Sequence, residues 1–177
     1  SDLRSAKLRF LEYANSLYGE IDNRIQTNEA VLEGITAFLG ASGAMNDGAQ
    51  ISHYAQQVRS RHPHIAQIEV VESVARQNLP RFIARKRASG LSEFQIRSFS
   101  YDSGRFWRSI DDKPWYYPIV FMEPMPNESR GVLGLDMDSV PFLRLAMSAS
   151  AHQGHTVASH PFRLVQGDWA YVMFRPV

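Results

Sequence analysis

Residues 131–162 read GVLGLDMDSVPFLRLAMSASAHQGHTVASHPF, and this stretch decides how the fold is interpreted. An apolar run interrupted by glycines ends at Asp136, and Asp138 follows two residues later. Pro141 then opens a helical pattern that Gly154 closes, because proline is favoured in the first turn of a helix and glycine just after its end. A second short apolar run completes the stretch. We therefore predict a strand, a helix and another strand, with two acids at the first junction.

Strand and helix patterns also alternate through the rest of the C-terminal two thirds of the chain. We predict strands at 64–74, 94–100, 115–122 and 132–135, a helix at 76–88 that Pro80 kinks or starts, a polar turn-like segment at 101–113, and a hairpin turn at 166–168. Short strands with helices between them and a C-terminal hairpin indicate the α+β class. We expect an antiparallel sheet with flanking helices.

The first forty residues carry apolar side chains at steps of mostly three and four residues, which is typical of one long helix. Such a helix would extend about 60 Å at 1.5 Å per residue. We predict a stalk that lies across its own domain along part of its length and pairs with a second copy along the rest. A turn-rich break at 40–48 precedes a second helix at 49–61. We assign residues 1–62 to this dimerising stalk and residues 63–177 to the second domain.

Composition and charge narrow the classes of function. Nineteen basic and eighteen acidic residues leave a net charge of +1, which argues against nucleic-acid binding, because that function needs a concentrated positive face. The chain has no cysteine, which excludes disulfides, thiolate metal sites and cysteine nucleophiles. No apolar run approaches the ~18–20 residues that span a bilayer. Because the sequence starts without Met, we expect an excised segment of a longer, membrane-anchored protein.

The histidines and catalytic motifs do not favour an enzyme or a metal site. His152 and His155 are three residues apart and His160 lies nearby, but Gly154 should end the helix between them, so their rings need not share a face. The sequence has no Gly-x-Ser-x-Gly elbow and no phosphate-binding loop. We predict no catalytic residue, no metal and no cofactor.

The two acids have different predicted roles. Asp138 precedes Ser139, the predicted N-cap, and its charge suits the helix dipole better than a cation site shared with Glu123. Asp136 ends an apolar strand, where a buried carboxylate is costly without a partner. Two glycines, Gly131 and Gly134, allow another group to approach the backbone closely. Asp136 therefore either faces a ligand or forms a structural salt bridge.

From Trp115 to its end, the chain resembles the CHASE family of extracellular sensor domains, which includes those of plant cytokinin receptors. The resembling segments are YYPIVFMEP (116–124), LGLDM (133–137), FLRLAMSASAHQGHTVASHPFRLV (142–165), YVMFRPV (171–177) and an earlier block at 65–96. Each segment alone is weak evidence, and their order and spacing carry the resemblance. It implies a PAS-like, non-enzymatic module on the periplasmic or extracellular side of a receptor of the histidine kinase or diguanylate cyclase type.

The resemblance also implies a ligand site. In the plant receptors an Asp of the LDM segment and a backbone group of the short strand before PF bond the adenine ring. These positions are similar to Asp136 and Ala158 here. The expected ligand is a small molecule, with an adenine-like purine derivative as the hypothesis, in an apolar pocket with few polar groups. The candidate walls are Tyr117, Ile119, Phe121, Leu135, Phe162, Tyr171 and Met173.

Two departures from the family pattern limit what the resemblance implies. Plant members are more acidic where this chain has Val140-Pro141-Phe142, which leaves the identity of the ligand open. The family also continues into a second PAS-like unit, and we expect this chain to stop before it. The alternative to a sensor is a ligand-free dimerisation or interaction module of a membrane receptor, with the pocket filled by its own side chains. In both cases we expect a homodimer through the N-terminal helix.

Overall fold

Four helices and ten short strands make up the described part of the chain. The computed structural model describes residues 23–41, 48–125, 132–163 and 169–177. The helices are α1 (23–41), α2 (Gly48–Arg61), α3 (Leu79–Ala88) and α4 (Pro141–Gln153). The strands are β1 (Ile68–Val71), β2 (Val74–Ala75), β3 (Ser98–Ser100), β4 (Phe106–Arg108), β5 (Trp115–Tyr116), β6 (Ile119–Glu123), β7 (Val157–Ala158), β8 (Phe162–Arg163), β9 (Trp169–Ala170) and β10 (Met173–Phe174). All strand pairs are antiparallel, which confirms the α+β class.

The N-terminal helices follow the apolar patterns of the sequence. Residues 23–41 are helical, while the remainder of the predicted stalk helix and most of the predicted break lie outside the described residues. The second helix starts at Gly48 and ends at Arg61, two residues before Pro63, within one residue of the prediction. A proline disfavours the helical conformation of the residue before it, which explains the end point. None of the described helices is long and apolar enough to cross a bilayer.

The longest strands, β1 and β6, form an antiparallel ribbon with a bulge. Val70 pairs with Phe121, but the next residue, Val71, pairs with Ile119. Val120 is therefore the extra residue of a β-bulge. Because of this extra residue, Ile119 and Met122 lie on the same face of the ribbon although they are three positions apart.

Three hydrophobic cores surround this ribbon. The helix-side core contains Ile35, Leu39, Ile51, Ala55, Ile68 and Val70, from α1, α2 and β1. The site-side core contains Ile119, Met122, Leu135, Met137, Val140, Phe142 and Leu143. The α3 core contains Val74, Phe82, Phe94 and Ile96. Each fully buried large apolar side chain stabilises the fold by about 1.5–3 kcal/mol.

Proline marks the start of α3 rather than a kink. A 3-10 turn over Arg76–Asn78 leads into the helix, and Pro80 lies in its first turn. Proline is tolerated there because the backbone N–H groups of the first turn have no partner within the helix.

Residues 132–135 do not form the predicted strand. Leu135 makes a single parallel bridge with Arg97, and Asp136 a single antiparallel bridge with Pro118. Gly134 has φ +82°, a left-handed conformation that turns the chain and prevents an extended run. The segment therefore acts as a short link between β6 and the hairpin formed by β3 and β4.

Gly134 is needed because two backbones meet there. A Cβ at this position would lie 1.9 Å from the carbonyl oxygen of Gln95. The Gly134 N–H donates to the carbonyl of Ile119 at 2.8 Å, and its own carbonyl accepts from the N–H of Arg97 at 3.0 Å. The close approach expected at Gly134 is thus present, and the approaching group is the protein's own backbone. Gly131, for which the same was expected, lies outside the described residues.

Helix α4 has the predicted end and a different start. Gly154 follows it in the left-handed conformation, with φ 72°. The N-cap is Val140 and not Ser139, which ends a 3-10 turn over Met137–Ser139. The Ser139 hydroxyl donates to the carbonyl of Asp136 at 2.6 Å and accepts from the N–H of Phe99 at 3.0 Å, so it supports the turn and β3 instead.

Two short strand pairs complete the C-terminal region. Strand β7 pairs with β10, and β8 pairs with β9. The β8–β9 pair flanks the hairpin turn predicted at 166–168, which lies outside the described residues. Ser150 of α4 fixes β10, because its buried hydroxyl is 2.9 Å from the carbonyl of Phe174 and 2.8 Å from that of His155.

Candidate functional site

Asp136 lies at the centre of a buried charged cluster, defined here as Lys113, Asp136 and Asp138. The Asp136 side chain has no exposed surface. Its Oδ1 accepts a hydrogen bond from the N–H of Tyr117 at 2.9 Å, and its Oδ2 lies 2.6 Å from Nζ of Lys113. The same Nζ lies 2.7 Å from Oδ2 of Asp138. One ammonium group thus bridges two carboxylates.

The electrostatics of the cluster favour a charged lysine. Burial of the ammonium would by itself lower the pKa of Lys113, but hydrogen bonds and charge interactions with Asp136 and Asp138 outweigh it and hold that pKa above its usual value. Asp138 pairs with this lysine rather than capping α4, whose N-cap Val140 has no side-chain hydrogen bond. The salt-bridge alternative for Asp136 is therefore present in the structure.

The loop before β5 positions Lys113. Arg108 at the end of β4 holds Asp111 with two hydrogen bonds, of 2.6 and 3.1 Å, and hydrogen bonding to Arg108 keeps the pKa of Asp111 below its usual value. The buried Tyr116 donates its hydroxyl to the carbonyl of Asp111 at 2.6 Å. Its ring lies 5.2 Å from the Lys113 ammonium. These contacts fix both ends of the loop that carries the lysine.

The site-side core brings several predicted site residues together. Leu135 and Ile119 are buried members of it, and the N–H of Ile119 donates to the carbonyl of Leu135 at 3.0 Å. Tyr117 and Phe162 are partly buried and pack against it. Four of the predicted residues thus form or border one apolar core, and the buried Asp136, directly after Leu135, lies beside it.

The other predicted residues lie elsewhere. Phe121 packs on the helix-side core, across the ribbon from Asp136. Met173 pairs with the exposed Ala158 between β10 and β7. Tyr171 is 45% exposed, and its hydroxyl accepts a hydrogen bond from Asn28 of α1 at 3.2 Å. A ligand that contacts both Asp136 and Ala158 would therefore require the chain around Asp136 to rearrange.

A groove of about 460 Å³ opens on the outer side of the site-side core. We call it the α4 groove, because Pro141, Phe142 and Leu145 of α4 form one of its sides. Other aromatic walls are Tyr101, Phe162 and Trp169, and the polar groups are Asp102, Arg105, His160 and Arg163. Its volume is in the range of small-molecule sites.

The described residues contain no group of three or more His, Cys, Asp or Glu side chains placed to hold a metal ion. The Asp136 and Asp138 carboxylates meet a lysine instead, and an ammonium group at hydrogen-bonding distance occupies the place where a cation would bind.

Lys113 and the arginines of the α4 groove are the site residues that sequence reasoning missed. A buried acid requires a cationic partner, so a lysine or arginine near Asp136 could be anticipated in general. Its identity could not, because Lys113 lies 23 positions away in a segment predicted to be a polar turn. Pairing of β3 with β4, and the contacts of the loop after β4, bring it into place.

A comparison with known families identifies the family of the chain. The family model for the CHASE domain matches residues 46–177, about three quarters of the chain. The match includes α2, the ribbon, the charged cluster and the α4 groove. No curated protein matches the chain.

Proposed function

Because the chain belongs to the CHASE family of extracellular sensor domains, we propose that it is the ligand-sensing part of a transmembrane receptor. In this proposal it lies on the periplasmic or extracellular side of the membrane and adopts a PAS-like arrangement. The output domain is a histidine kinase or a diguanylate cyclase and lies outside this chain. The sensor itself performs no chemistry, and its role is to bind a small molecule.

The observation that supports a ligand site is the charged cluster at the edge of an apolar core. A fully buried carboxylate beside apolar and aromatic walls is the kind of polar group that orients a ligand. Lys113 is 18% exposed, so it lies between Asp136 and the solvent. A ligand that approaches by this route meets the lysine first.

We propose that the ligand replaces Lys113 as the partner of Asp136. Asp138 holds the same ammonium at 2.7 Å, so the lysine keeps a carboxylate partner when it leaves Asp136. The vacated Oδ2 then accepts a hydrogen bond from an N–H group of the ligand. A flat nitrogen heterocycle with ring or exocyclic N–H groups, such as an adenine derivative, satisfies both this acceptor and the apolar walls.

The ribbon provides a route from this site to the stalk. One face of the ribbon contributes to the site-side core and the other to the helix-side core. Repacking of the site-side core therefore displaces the ribbon, on which α1 and α2 rest. Signalling requires that the ligand bind one of two arrangements more tightly than the other. In the proposed homodimer, α1 carries the change towards the membrane.

Calorimetric titration with adenine and N6-substituted adenines tests the proposal. We expect heat from at least one compound with the unmodified protein and its loss in Asp136→Asn, which replaces one acceptor oxygen with a donor. Glu93→Gln is the control, since it removes a carboxylate on the exposed surface, outside the charged cluster and the proposed ligand contact. Absence of heat with every purine tested, or equal binding by Asp136→Asn, would count against the purine hypothesis.

The ligand-free interaction module is the second candidate. It is favoured by the ion pair that already satisfies Asp136 and by Ile25, which is 43% exposed on α1. In that case sedimentation would show a dimer that Ile25→Glu dissociates, and no metabolite would raise the melting temperature.

A further inference from the structure

The α4 groove has two large, exposed apolar side chains among its lining residues. Leu145 on its α4 side is 66% exposed and Trp169 on the opposite side is 65% exposed. Phe142 also lines the groove, and its ring centroid is 5.0 Å from that of Tyr101 and 4.7 Å from that of Phe162. The base of the groove is thus a packed aromatic layer, and its rim offers two large side chains to a flat apolar body.

Two arginines give the groove a positive rim. The guanidinium carbon of Arg105 lies 4.6 Å from the ring centroid of Tyr101, and that of Arg163 lies 5.1 Å from the ring centroid of Trp169. Neither arginine forms an ion pair within the described part of the chain. Asp102 is the only acid among the described lining residues, so these residues together carry an excess of positive charge.

Tyr101 ties the two arginine-bearing segments together. Its hydroxyl donates to the backbone carbonyl of Arg163 at 2.8 Å and accepts from Nη2 of Arg105 at 3.0 Å. Arg105 also has φ 54°, a left-handed conformation that is uncommon outside glycine and is found at sites where the surroundings hold a residue in place. The position of the positive rim is therefore built into the fold.

We propose that the α4 groove binds a small aromatic carboxylate. The ring of this ligand would lie on the layer formed by Tyr101, Phe142 and Phe162, between Leu145 and Trp169. Its carboxylate would pair with Arg105 and Arg163, whose planar guanidinium groups suit carboxylate oxygens. This site differs from the proposed purine site in position and in charge, and it does not depend on Asp136.

The test uses benzoate and indole-3-acetate as probes, with benzamide and indole-3-acetamide as neutral analogues of the same shape. Binding is followed by NMR through the indole N–H signal of Trp169, identified with Trp169→Phe. We expect the acids to shift this signal and to bind about tenfold more tightly than the amides, because the amides lack the charge-assisted hydrogen bonds. Added salt should weaken the acids and leave the amides unchanged.

Variants locate the site. Arg105→Gln and Arg163→Gln should each weaken the acids about tenfold, since each removes one charged donor. Arg81→Gln, on the exposed surface of α3, is the matched control and should not change binding. Leu145→Asp should abolish binding, because it places a negative charge on the groove at a side chain exposed enough for the fold to tolerate it. Asp136→Asn should bind the acids normally, which separates this site from the proposed purine site.

Other outcomes overturn the proposal. Equal affinity for acids and amides would show that charge does not select the ligand. A Trp169 signal that does not move at the highest soluble probe concentration would show that the groove is not the site. A dimer that Leu145→Asp dissociates, without any effect of the acids, would assign the groove to a second copy of the chain.

Discussion

Lys113 places its ammonium nitrogen 2.6 Å from Oδ2 of Asp136, a carboxylate with no exposed surface. The lysine is itself mostly buried, so both groups have lost most of their contact with water. In its place they have their direct contact with each other, the hydrogen bond from the Tyr117 N–H to Asp136, and the contact of Lys113 with Asp138. Removing one partner therefore lowers the free energy of unfolding more than removing both.

Lys113→Met should destabilise the protein by about 3–5 kcal/mol, because it leaves Asp136 as an uncompensated buried charge. Chemical denaturation measures the change in the free energy of unfolding. Arg76→Met is the control: it breaks the Arg76–Asp112 pair, in which both side chains are more than 60% exposed, and should cost at most about 1 kcal/mol. The double variant Lys113→Met with Asp136→Asn should recover much of the loss. If it does not, the pair is not what stabilises this region.

Gly134→Ala should prevent stable folding or lower the melting temperature strongly. The added Cβ would lie 1.9 Å from the carbonyl oxygen of Gln95, which is backbone and cannot move without breaking the bonds that join β3 to β6. Gly154→Ala provides the comparison, since it has a similar φ of 72° but open space around the added Cβ. It should cost only about 1–2 kcal/mol, from the left-handed conformation alone. Similar losses in both variants would show that conformation, and not the close approach, explains the glycine.

Glu69 should make stability depend on pH. It pairs with Met122 on the site-side face of the ribbon, and burial raises the pKa of its carboxyl from 4.5 to about 7. The folded state therefore binds the proton more tightly than the unfolded state. Its contribution to stability is complete below pH 4.5 and is lost as the pH rises to about 7.

Glu69→Gln should remove this slope, because the amide stays neutral throughout. The unfolding free energy of the unmodified protein should fall by roughly 1–3 kcal/mol across that range relative to the variant. Denaturation curves at pH values on both sides of the transition measure it, with Glu93→Gln on the exposed surface as control. Parallel pH profiles for the unmodified protein and Glu69→Gln would exclude the effect.

Ser150→Ala should destabilise the C-terminal strand pair by about 1–2 kcal/mol, since it removes the buried hydroxyl that donates to the carbonyls of His155 and Phe174. Ser148→Ala, on the exposed side of the same helix, should change stability by less than about 0.5 kcal/mol. Hydrogen exchange at the N–H groups of β10 gives the local readout, and unchanged protection there would contradict the assigned contact.

The elements that could be predicted from sequence are those with strong local signals. The apolar spacing of α2, the proline at the start of α3 and the glycine after α4 each act within a few residues, and the structure places them as expected. Strand β4 was missed because Phe106–Arg108 lies in a polar segment, where it is held by pairing with β3 and by the edge-on contact of Trp107 with Phe99 at 5.1 Å. That contact is not visible in a local pattern.

The candidate site also has a part that could be predicted from local sequence and a part that could not. The sequence singled out Asp136 from a local argument, the cost of a carboxylate after an apolar run, and the structure places it fully buried. Its partner depended on long-range contacts, as did the arginines of the α4 groove, which come from a turn after β3 and from β8. The strand predicted before Asp136 was wrong, because alternation of apolar residues and glycine does not reveal that Gly134 takes a left-handed turn.

The bulge in the central ribbon allows β6 to contribute to all three hydrophobic cores. A regular strand has two faces, yet β6 supplies side chains to three cores, because Val120 contacts both the helix-side core and the α3 core. Deleting Val120 would leave Ile119, Phe121 and Met122 in plain alternation, each on the face that it now occupies. The strand would then be more regular, but the packing of β6 against the α3 core through Val120 would be lost. The extra residue of the bulge is therefore what connects α3 to the ribbon that lies between the stalk helices and the ligand site.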